Sequence, residues 1–265
     1  MPVGVMFQKA RTLGADGMEL RLNEASYSGE TYWEELLAAQ DKHPLRCLSF
    51  GTILNLTSPD SFVREESVAS WARAIAFLAP RLPLTVLNVL TGRLENPDVS
   101  PFECERHGSH LQTPEIFAAQ AAGLKLVAEA ADSLGVRIAL ETHQGFCHDL
   151  AKPAAELVDA VNSPRVGVLL DYGNMIGFKP VPDLEEVVKT LGSRIFYLHL
   201  KNSFFTGNRP PVRCGLADGA INHRWYLDLV REQTGALPPI CIEAPRPGDR
   251  EYFAVQDLAY VRSLM

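Results

Sequence analysis

The hydrophobic pattern of the chain alternates between short apolar runs and longer amphipathic segments. Seven runs rich in Val, Ile and Leu have the length of buried strands. These runs cover residues 17–22, 45–50, 84–90, 136–141, 166–171, 195–199 and 240–243. Such runs, separated by segments of helical period, are typical of parallel strands joined by crossover helices. The pattern therefore predicts an α/β protein.

Amphipathic segments lie between these runs and predict the helices. They cover residues 6–13, 31–40, 61–78, 113–134, 153–161, 183–191 and 221–232. Thr113 followed by Pro114 has the form of a helix N-cap with proline in the first turn. Gly14 and Gly135 stand where helices are expected to end. We therefore expect a helix after almost every strand.

The chain length favours one particular α/β architecture. At 265 residues it matches the roughly 250 residues of a (β/α)8 TIM barrel, with parallel strands inside and helices outside. We predict a single domain over residues 1–265. The first strand is short or missing, since only residues 1–5 precede the first helix. Those residues form a minimal strand, or the barrel is incomplete there, or the sequence begins after the strand.

Composition and charge narrow the class of protein. Hydrophobic residues make up 46% and charged residues 22%, as in ordinary globular proteins. The net charge of −7 would repel a nucleic acid backbone, so we expect no nucleic acid partner. The five cysteines contain no Cys-x-x-Cys pair and indicate a reducing compartment. No signal peptide or membrane span is apparent, so we expect a cytoplasmic protein without a membrane partner.

Two connections are too long for simple turns. Residues 91–112 contain His107 and His110, and residues 203–220 contain Arg209 and Arg213. Both follow the carboxyl end of a predicted strand, where barrel enzymes build their sites. We interpret them as candidate lids or substrate loops, with His107 and His110 as surface residues.

Four successive strands end in a residue that can bind metal. These residues are Glu141, Asp171, His199 and Glu243. The carboxyl ends of neighbouring barrel strands line one rim, so the four side chains converge if each points inward. Three carboxylates in a partly dry cleft repel one another unless a cation is present. This set of ligands suits one divalent ion, Mn²⁺, Mg²⁺ or Co²⁺, with Zn²⁺ possible.

Five short motifs also resemble a known family. They are LGADGMEL at residues 13–20, LETH at 140–143, GVLLDYGN at 167–174, LHLKN at 198–202 and IEAP at 242–245. They resemble the xylose isomerase-like barrels, which include sugar isomerases, epimerases, dehydratases and endonuclease IV. The resemblance implies that Glu141, Asp171, His199 and Glu243 are metal ligands. Many members carry His where this chain has Asn174.

The resemblance further implies a sugar isomerase or epimerase. Its substrate would be a small sugar, ketose or polyol whose carbonyl and adjacent hydroxyl are chelated by the metal. The neighbouring C–H becomes more acidic because the metal stabilises an enediolate-like charge. The resemblance implies that Glu141 and Glu243 flank the substrate, one removing a proton and the other returning it.

Further residues near these motifs are candidate site residues. His143 is either a general base or substrate donor, or a solvated loop residue. Lys201 pairs with an anionic group of the substrate or sits on the rim. Glu19 binds the substrate or a histidine, or forms an ion pair with Arg21. Asn174 is a candidate substrate contact.

Other functions remain open. The Glu141-Thr-His143 stretch resembles the dehydratase branch, so an inosose or 3-dehydroshikimate type dehydratase is one alternative. A non-catalytic sugar-binding barrel is another. An endonuclease is disfavoured because it would need a basic groove and many histidines, whereas this acidic chain has seven. A homo-oligomer is possible.

Overall fold

The computed structural model of the chain describes residues 1–22, 29–204, 211–243 and 246–265. Two compact units are present. The first unit comprises residues 1–93, 113–140 and 157–167, and the second unit comprises residues 94–112, 141–156 and 168–265. Arg209 and the last two residues of the IEAP motif lie outside the described residues. That residues 1–265 act as one domain remains a prediction.

The first unit is built on parallel strands. They are β1 (Gly17–Arg21), β2 (Cys47–Ile53), β3 (Val86–Leu90) and most of β4 (Arg137–Glu141). Glu19 pairs with Ser49, and Val89 pairs with Leu140. All five residues of β3 are buried. A near-continuous hydrophobic run predicts a strand that is covered on both faces, and β3 agrees with that prediction.

One helix precedes β1, and the others follow the strands. The helices are α1 (Val3–Thr12), α2 (Glu30–Lys42), α3 (Ser61–Leu78), α4 (Pro114–Leu134) and α5 (Ala151–Val161). The hydroxyl of Thr113 accepts from the amide of Ile116 at 3.3 Å, and Gly135 ends α4 with φ 71°. Both predicted end signals are thus confirmed. The minimal strand considered for residues 1–5 is wrong, since α1 begins at Val3.

The second unit contains parallel strands and a hairpin. Its strands are the end of β5 (Val166–Leu170), then β6 (Ile195–Leu200), β7 (Asn202–Phe204), β8 (Val212–Cys214) and β9 (Ile240–Ile242). Strand β6 pairs in parallel with β5 and β9, whereas β7 and β8 pair antiparallel. Strand β8 and the last two residues of β7 belong to the long connection 203–220, so part of that connection is ordered by pairing with itself.

The helices of the second unit are α6 (Tyr172–Met175), α7 (Leu184–Leu191), α8 (His223–Thr234) and α9 (Arg250–Arg262). The hydrophobic pattern predicted α7 and α8 but not α6 and α9. Helix α9 buries Asp257 and Val261 and leaves most of its surface exposed. It therefore lacks a clear apolar stripe. Its N-cap Asp249, which accepts from the amide of Tyr252 at 3.0 Å, was its sequence signal.

In the first unit the strand order is β1-β2-β3-β4, and in the second unit β6 lies between β5 and β9. Within each unit, strands that follow one another along the chain are therefore neighbours, apart from the inserted pair β7 and β8. The α/β class with parallel strands is confirmed. Within the described ranges, no helix combines the length and apolar character that crossing a membrane requires.

The connection 91–112 folds back on itself in two short 3-10 helices, Cys104–Arg106 and Gly108–Leu111. His107 is 5% exposed, so its expected surface position is wrong. Its Nδ1 accepts from the amide of Asn96 at 3.0 Å, and its Nε2 lies 3.0 Å from the carbonyl of Ser100. His107 thus closes the loop by bonding to backbone. His110 is exposed, as expected.

Candidate metal centre

The four residues predicted to converge lie together in the second unit. Glu141 is the last residue of β4, Asp171 follows β5, His199 lies in β6 and Glu243 follows β9. One atom that can bind metal from each residue lies within 4.8 Å of the corresponding atom of every other. Each side chain comes from the carboxyl-terminal part of a parallel strand. The strand order therefore explains why residues far apart in sequence meet.

The imidazole of His199 stands between the carboxylates. Its Nδ1 lies 3.7 Å from Glu141 Oε1, 3.8 Å from Asp171 Oδ2 and 3.6 Å from Glu243 Oε2. The side chains of Glu141, Asp171 and His199 are at most 5% exposed, whereas that of Glu243 is 36% exposed. Three of the four side chains are thus buried, and Glu243 is the member of the group that reaches solvent.

The donor set fits a hard or borderline divalent ion. Carboxylate oxygen and imidazole nitrogen bind such ions at roughly 2.0–2.6 Å. Donor atoms within 4.8 Å of one another can surround one ion at those distances. Three carboxylates with one imidazole and no thiolate suit Mn²⁺, Mg²⁺ or Co²⁺, and Zn²⁺ is also compatible.

Lys201 lies inside this group. Its Nζ is 2.6 Å from Asp171 Oδ2 and 2.6 Å from Glu243 Oε2. The residue is only 2% exposed, although the sequence left open a solvent-facing place on the rim. Since His199 and Lys201 are two residues apart near the end of β6, both side chains leave the same face of the strand.

Asn174 also touches the carboxylates. It lies in α6, whose N-cap is Asp171, and its backbone amide donates to Asp171 Oδ1 at 3.2 Å. Its side-chain Nδ2 donates to Asp171 Oδ2 at 3.1 Å, to the carbonyl of Thr142 at 3.1 Å and to Glu141 Oε1 at 3.3 Å. Asn174 is therefore fully engaged with the protein, and its predicted contact with substrate stays a prediction.

Two supporting residues were missed by the sequence analysis. Thr142 Oγ1 accepts from the amide of Asp171 at 2.9 Å. His148 is fully buried, and its Nδ1 donates to the carbonyl of Glu141 at 2.7 Å. Burial lowers the pKa of His148 to about 4, so its ring is neutral near pH 7. Its place within the LETH motif was the available signal for Thr142.

Two other candidate residues lie outside the four-residue group. His143 is half-buried, and its Nδ1 donates to the carbonyl of Gln144 at 2.8 Å while its ring packs edge-on against Phe146. Glu19 lies in the first unit on β1, where its Oε1 accepts from Asn88 Nδ2 at 3.0 Å. The substrate roles of both residues stay predictions.

Burial and mutual charge shift the pKa values of the carboxylates in opposite directions. Burial raises the pKa of Asp171 to about 7, although the charge of Lys201 acts against it. Burial also opposes ionisation of Glu141, but hydrogen bonding and attraction to His199 outweigh it and lower the pKa to about 2. Glu243 behaves similarly, and its pKa is lowered further by Lys201.

The pKa of Lys201 is raised by the same carboxylates. Burial alone would lower it, but the charges of Asp171 and Glu243 outweigh burial and hold it above its ordinary value. The lysine is therefore a permanent ammonium at neutral pH. The centre is a group of buried acids that already contains one positive charge.

Comparison with known proteins adds a curated relative and several solved structures. A protein of Synechocystis sp. named a probable ketose 3-epimerase is 32% identical over 182 residues. The match covers 64% of this chain and 57% of that protein. The chain therefore aligns with little more than half of the length of its relative.

Two solved structures share the fold at low sequence identity. One is a xylose isomerase-like TIM barrel protein from Mycobacterium smegmatis in complex with magnesium, with a TM-score of 0.76, 19% identity and coverage of 100% of this chain and 89% of that chain. The other is D-psicose 3-epimerase with D-tagatose from Clostridium cellulolyticum H10, with a TM-score of 0.75, 15% identity and coverage of 100% and 94%.

The family match extends over nearly the whole sequence. The family described as xylose isomerase-like TIM barrel matches residues 7–264. That range contains every strand of the parallel sheet and all four residues of the buried acidic centre. The fold predicted from the apolar runs and the family suggested by the five motifs are thus confirmed together. The chain belongs to the xylose isomerase-like TIM barrel family.

Proposed function

We propose that the chain is a divalent-metal-dependent epimerase or isomerase of a small sugar, with a ketose as the first candidate substrate. The observation that carries the proposal is the convergence of Glu141, Asp171, His199 and Glu243 within 4.8 Å. The partial likeness to a probable ketose 3-epimerase supports the choice of substrate class. The metal would be Mn²⁺, Mg²⁺ or Co²⁺, with Zn²⁺ possible.

The four residues would hold the ion, and the two glutamates would move the proton. A bound divalent ion supplies Lewis-acid stabilisation of the negative charge that develops on the sugar oxygens. One of Glu141 and Glu243 takes the proton from the carbon next to the carbonyl, and the other returns a proton to the opposite face. Removal and return on opposite faces invert that carbon, which is epimerisation.

The two glutamates differ in their access to water. The pKa values of both are held below the ordinary value, so both are carboxylates in the resting centre, and the one that returns a proton must first take it up from solvent. Glu243 is 36% exposed on its side chain, whereas Glu141 is almost fully buried. A proton on the more exposed Glu243 can exchange with solvent more readily than one on Glu141. This difference favours Glu243 as the group that exchanges with water.

The test is isotope exchange with a panel of ketoses. The protein is stripped with a chelator, reloaded with Mn²⁺ and incubated with each sugar in D₂O. Epimerisation predicts deuterium from the solvent at the inverted carbon of the product. Glu141→Gln is expected to abolish exchange, whereas Glu129→Gln, an exposed residue on α4, serves as the matched control. Absence of exchange with every sugar would overturn the proposal.

The same assay separates the dehydratase alternative. A dehydratase would release water from a cyclic polyol or a dehydroshikimate-like acid, and a new double bond would appear in the product. His143 is the residue that the LETH motif offers as a base for that reaction. Loss of water from such a substrate, without inversion of any ketose, would replace the epimerase proposal by the dehydratase. Sugar binding without turnover would favour a binding protein.

A further inference from the structure

Lys201 places a positive charge against two of the proposed metal ligands. Its Nζ contacts Asp171 Oδ2 and Glu243 Oε2, both at 2.6 Å, and the residue is 2% exposed. The same two oxygen atoms lie 3.8 and 3.6 Å from the imidazole of His199. The ammonium and a divalent ion would therefore share the same two carboxylates.

The charges of the centre balance only when both cations are counted. Metal binding requires ionised carboxylates and a neutral imidazole, so Glu141, Asp171 and Glu243 contribute three negative charges. The ammonium of Lys201 reduces that sum to two negative charges. A divalent ion then makes the buried centre neutral. An uncompensated charge in a buried site is costly, so the lysine matches the centre to an ion of charge two.

The backbone around Lys201 is shaped to keep the ammonium in place. A Cβ added to Gly173 would overlap Cγ of Lys201, so the lysine stem packs directly against the glycine backbone. Each carboxylate carries two oxygens with several acceptor sites, so it can hold the ammonium and an ion together. The stem of Lys201 is therefore held against the backbone of Gly173.

We propose that Lys201 is a positioning residue that serves as the resident counter-ion of the centre. It holds Asp171 and Glu243 together when no divalent ion is bound, and its charge weakens the binding of that ion. The consequence is a stable metal-free protein whose ion exchanges readily. This inference rests on the proposed function, because it takes the four residues as metal ligands.

The test measures metal affinity and stability, and needs no turnover. Lys201→Met removes both the charge and the donor, whereas Lys201→Gln removes the charge and keeps an N–H donor. Lys189→Met is the matched control, since Lys189 is exposed on α7 and pairs only weakly with Glu186 at 3.9 Å. The dissociation constant of Mn²⁺ is measured by calorimetry on chelator-treated protein. Urea unfolding is measured without metal and with saturating Mn²⁺.

We expect both neutral variants to bind Mn²⁺ more tightly, on the order of tenfold or more, because a like charge beside the ion is gone. Without metal, both should unfold at lower urea concentration than the wild type. The control should match the wild type in both measurements. If the metal-free variants do not fold, refolding at graded free Mn²⁺ set by a chelator buffer gives the same affinity comparison.

Two outcomes would count against the proposals and can be told apart. Unchanged or weaker Mn²⁺ binding in both neutral variants, with a wild type that binds Mn²⁺, would overturn the counter-ion role alone. Lys201 would then be a ligand-orienting or substrate-binding residue. A wild type that binds none of Mn²⁺, Mg²⁺, Co²⁺ and Zn²⁺ would overturn the proposed function together with the counter-ion role.

Discussion

The side-chain amide of Asn174 donates to Asp171 Oδ2 at 3.1 Å. The same nitrogen lies 3.3 Å from Glu141 Oε1, so one amide orients two of the proposed ligands. Many members of the family carry His at this position. In this chain the residue acts on the carboxylates themselves, which makes it a candidate for setting the geometry of the ion.

Replacing Asn174 by Ala should therefore weaken metal binding. Both carboxylates lose a donor that fixes their orientation, and losing such a partner typically costs about 10- to 100-fold in metal affinity. Calorimetric titration of the metal-free variant with Mn²⁺ provides the measurement. Asn55→Ala, an exposed position in the first unit, is the control. Affinity equal to that of the wild type would show that Asn174 does not orient the ligands.

Replacing Asp171 by Asn should remove both a ligand and a partner of the buried ammonium. Lys201 would keep its ion pair with Glu243 at 2.6 Å. Burial already disfavours the ionised form of Asp171, so removing that charge offsets part of the loss of its pair with Lys201. We expect Mn²⁺ binding to be lost, while the free energy of unfolding of the metal-free protein falls by less than the roughly 3 kcal/mol of a fully broken buried pair. Calorimetry checks the first effect and urea unfolding the second. Asp98→Asn, an exposed change of the same chemistry, should alter neither.

Gly173→Ala should disturb the centre without changing its charge. The added Cβ would overlap Cγ of Lys201 and come within 3.2 Å of Asp171 Oδ1. Overpacking of this kind typically costs about 1–3 kcal/mol, which urea unfolding would detect. Gly4→Ala is the matched control, because nothing lies within 4 Å of a Cβ there. Since Gly4 lies within α1, that control should be neutral or slightly stabilising.

His223 should make the protein less stable in mild acid. Burial lowers the pKa of His223 to about 4, below the ordinary value of 6.5. The unfolded chain therefore binds a proton that the folded chain refuses between pH 6.5 and about 4. The stabilising effect of the neutral ring is complete above pH 6.5 and is lost as the pH falls toward 4.

The variant His223→Gln checks this pH dependence. Over that range the free energy of unfolding of the wild type should fall by up to about 3 kcal/mol more than that of the variant, because only the wild type carries this histidine. Urea unfolding at pH 7.0 and pH 4.5, for both proteins, isolates the contribution of His223. Equal losses in the two proteins would rule out the proposed effect. The exposed His110→Gln is the control, and its loss should equal that of the wild type.

Much of the fold could be predicted because local patterns decide it. The run Val-Gly-Val-Leu-Leu of β5 is buried at all five residues, as an apolar parallel strand requires. Helix α3 has the predicted bounds, and Thr113 and Gly135 mark the ends of α4 as expected. Helix α9 was missed because it buries little and has no apolar stripe. His107 was misplaced because loop closure depends on backbone partners that a sequence pattern does not contain.

For the candidate site too, the sequence identified some of the residues and the structure identified their contacts. The sequence by itself determined that Glu141, Asp171, His199 and Glu243 end successive strands, and parallel pairing places strand ends at one edge. Only the tertiary structure decided where Lys201 and Asn174 point. The strand or short helix that carries a residue determines on which of its faces the side chain lies. The partner of that side chain depends on which distant residues pack opposite it, and for Lys201 these are two carboxylates held by other strands.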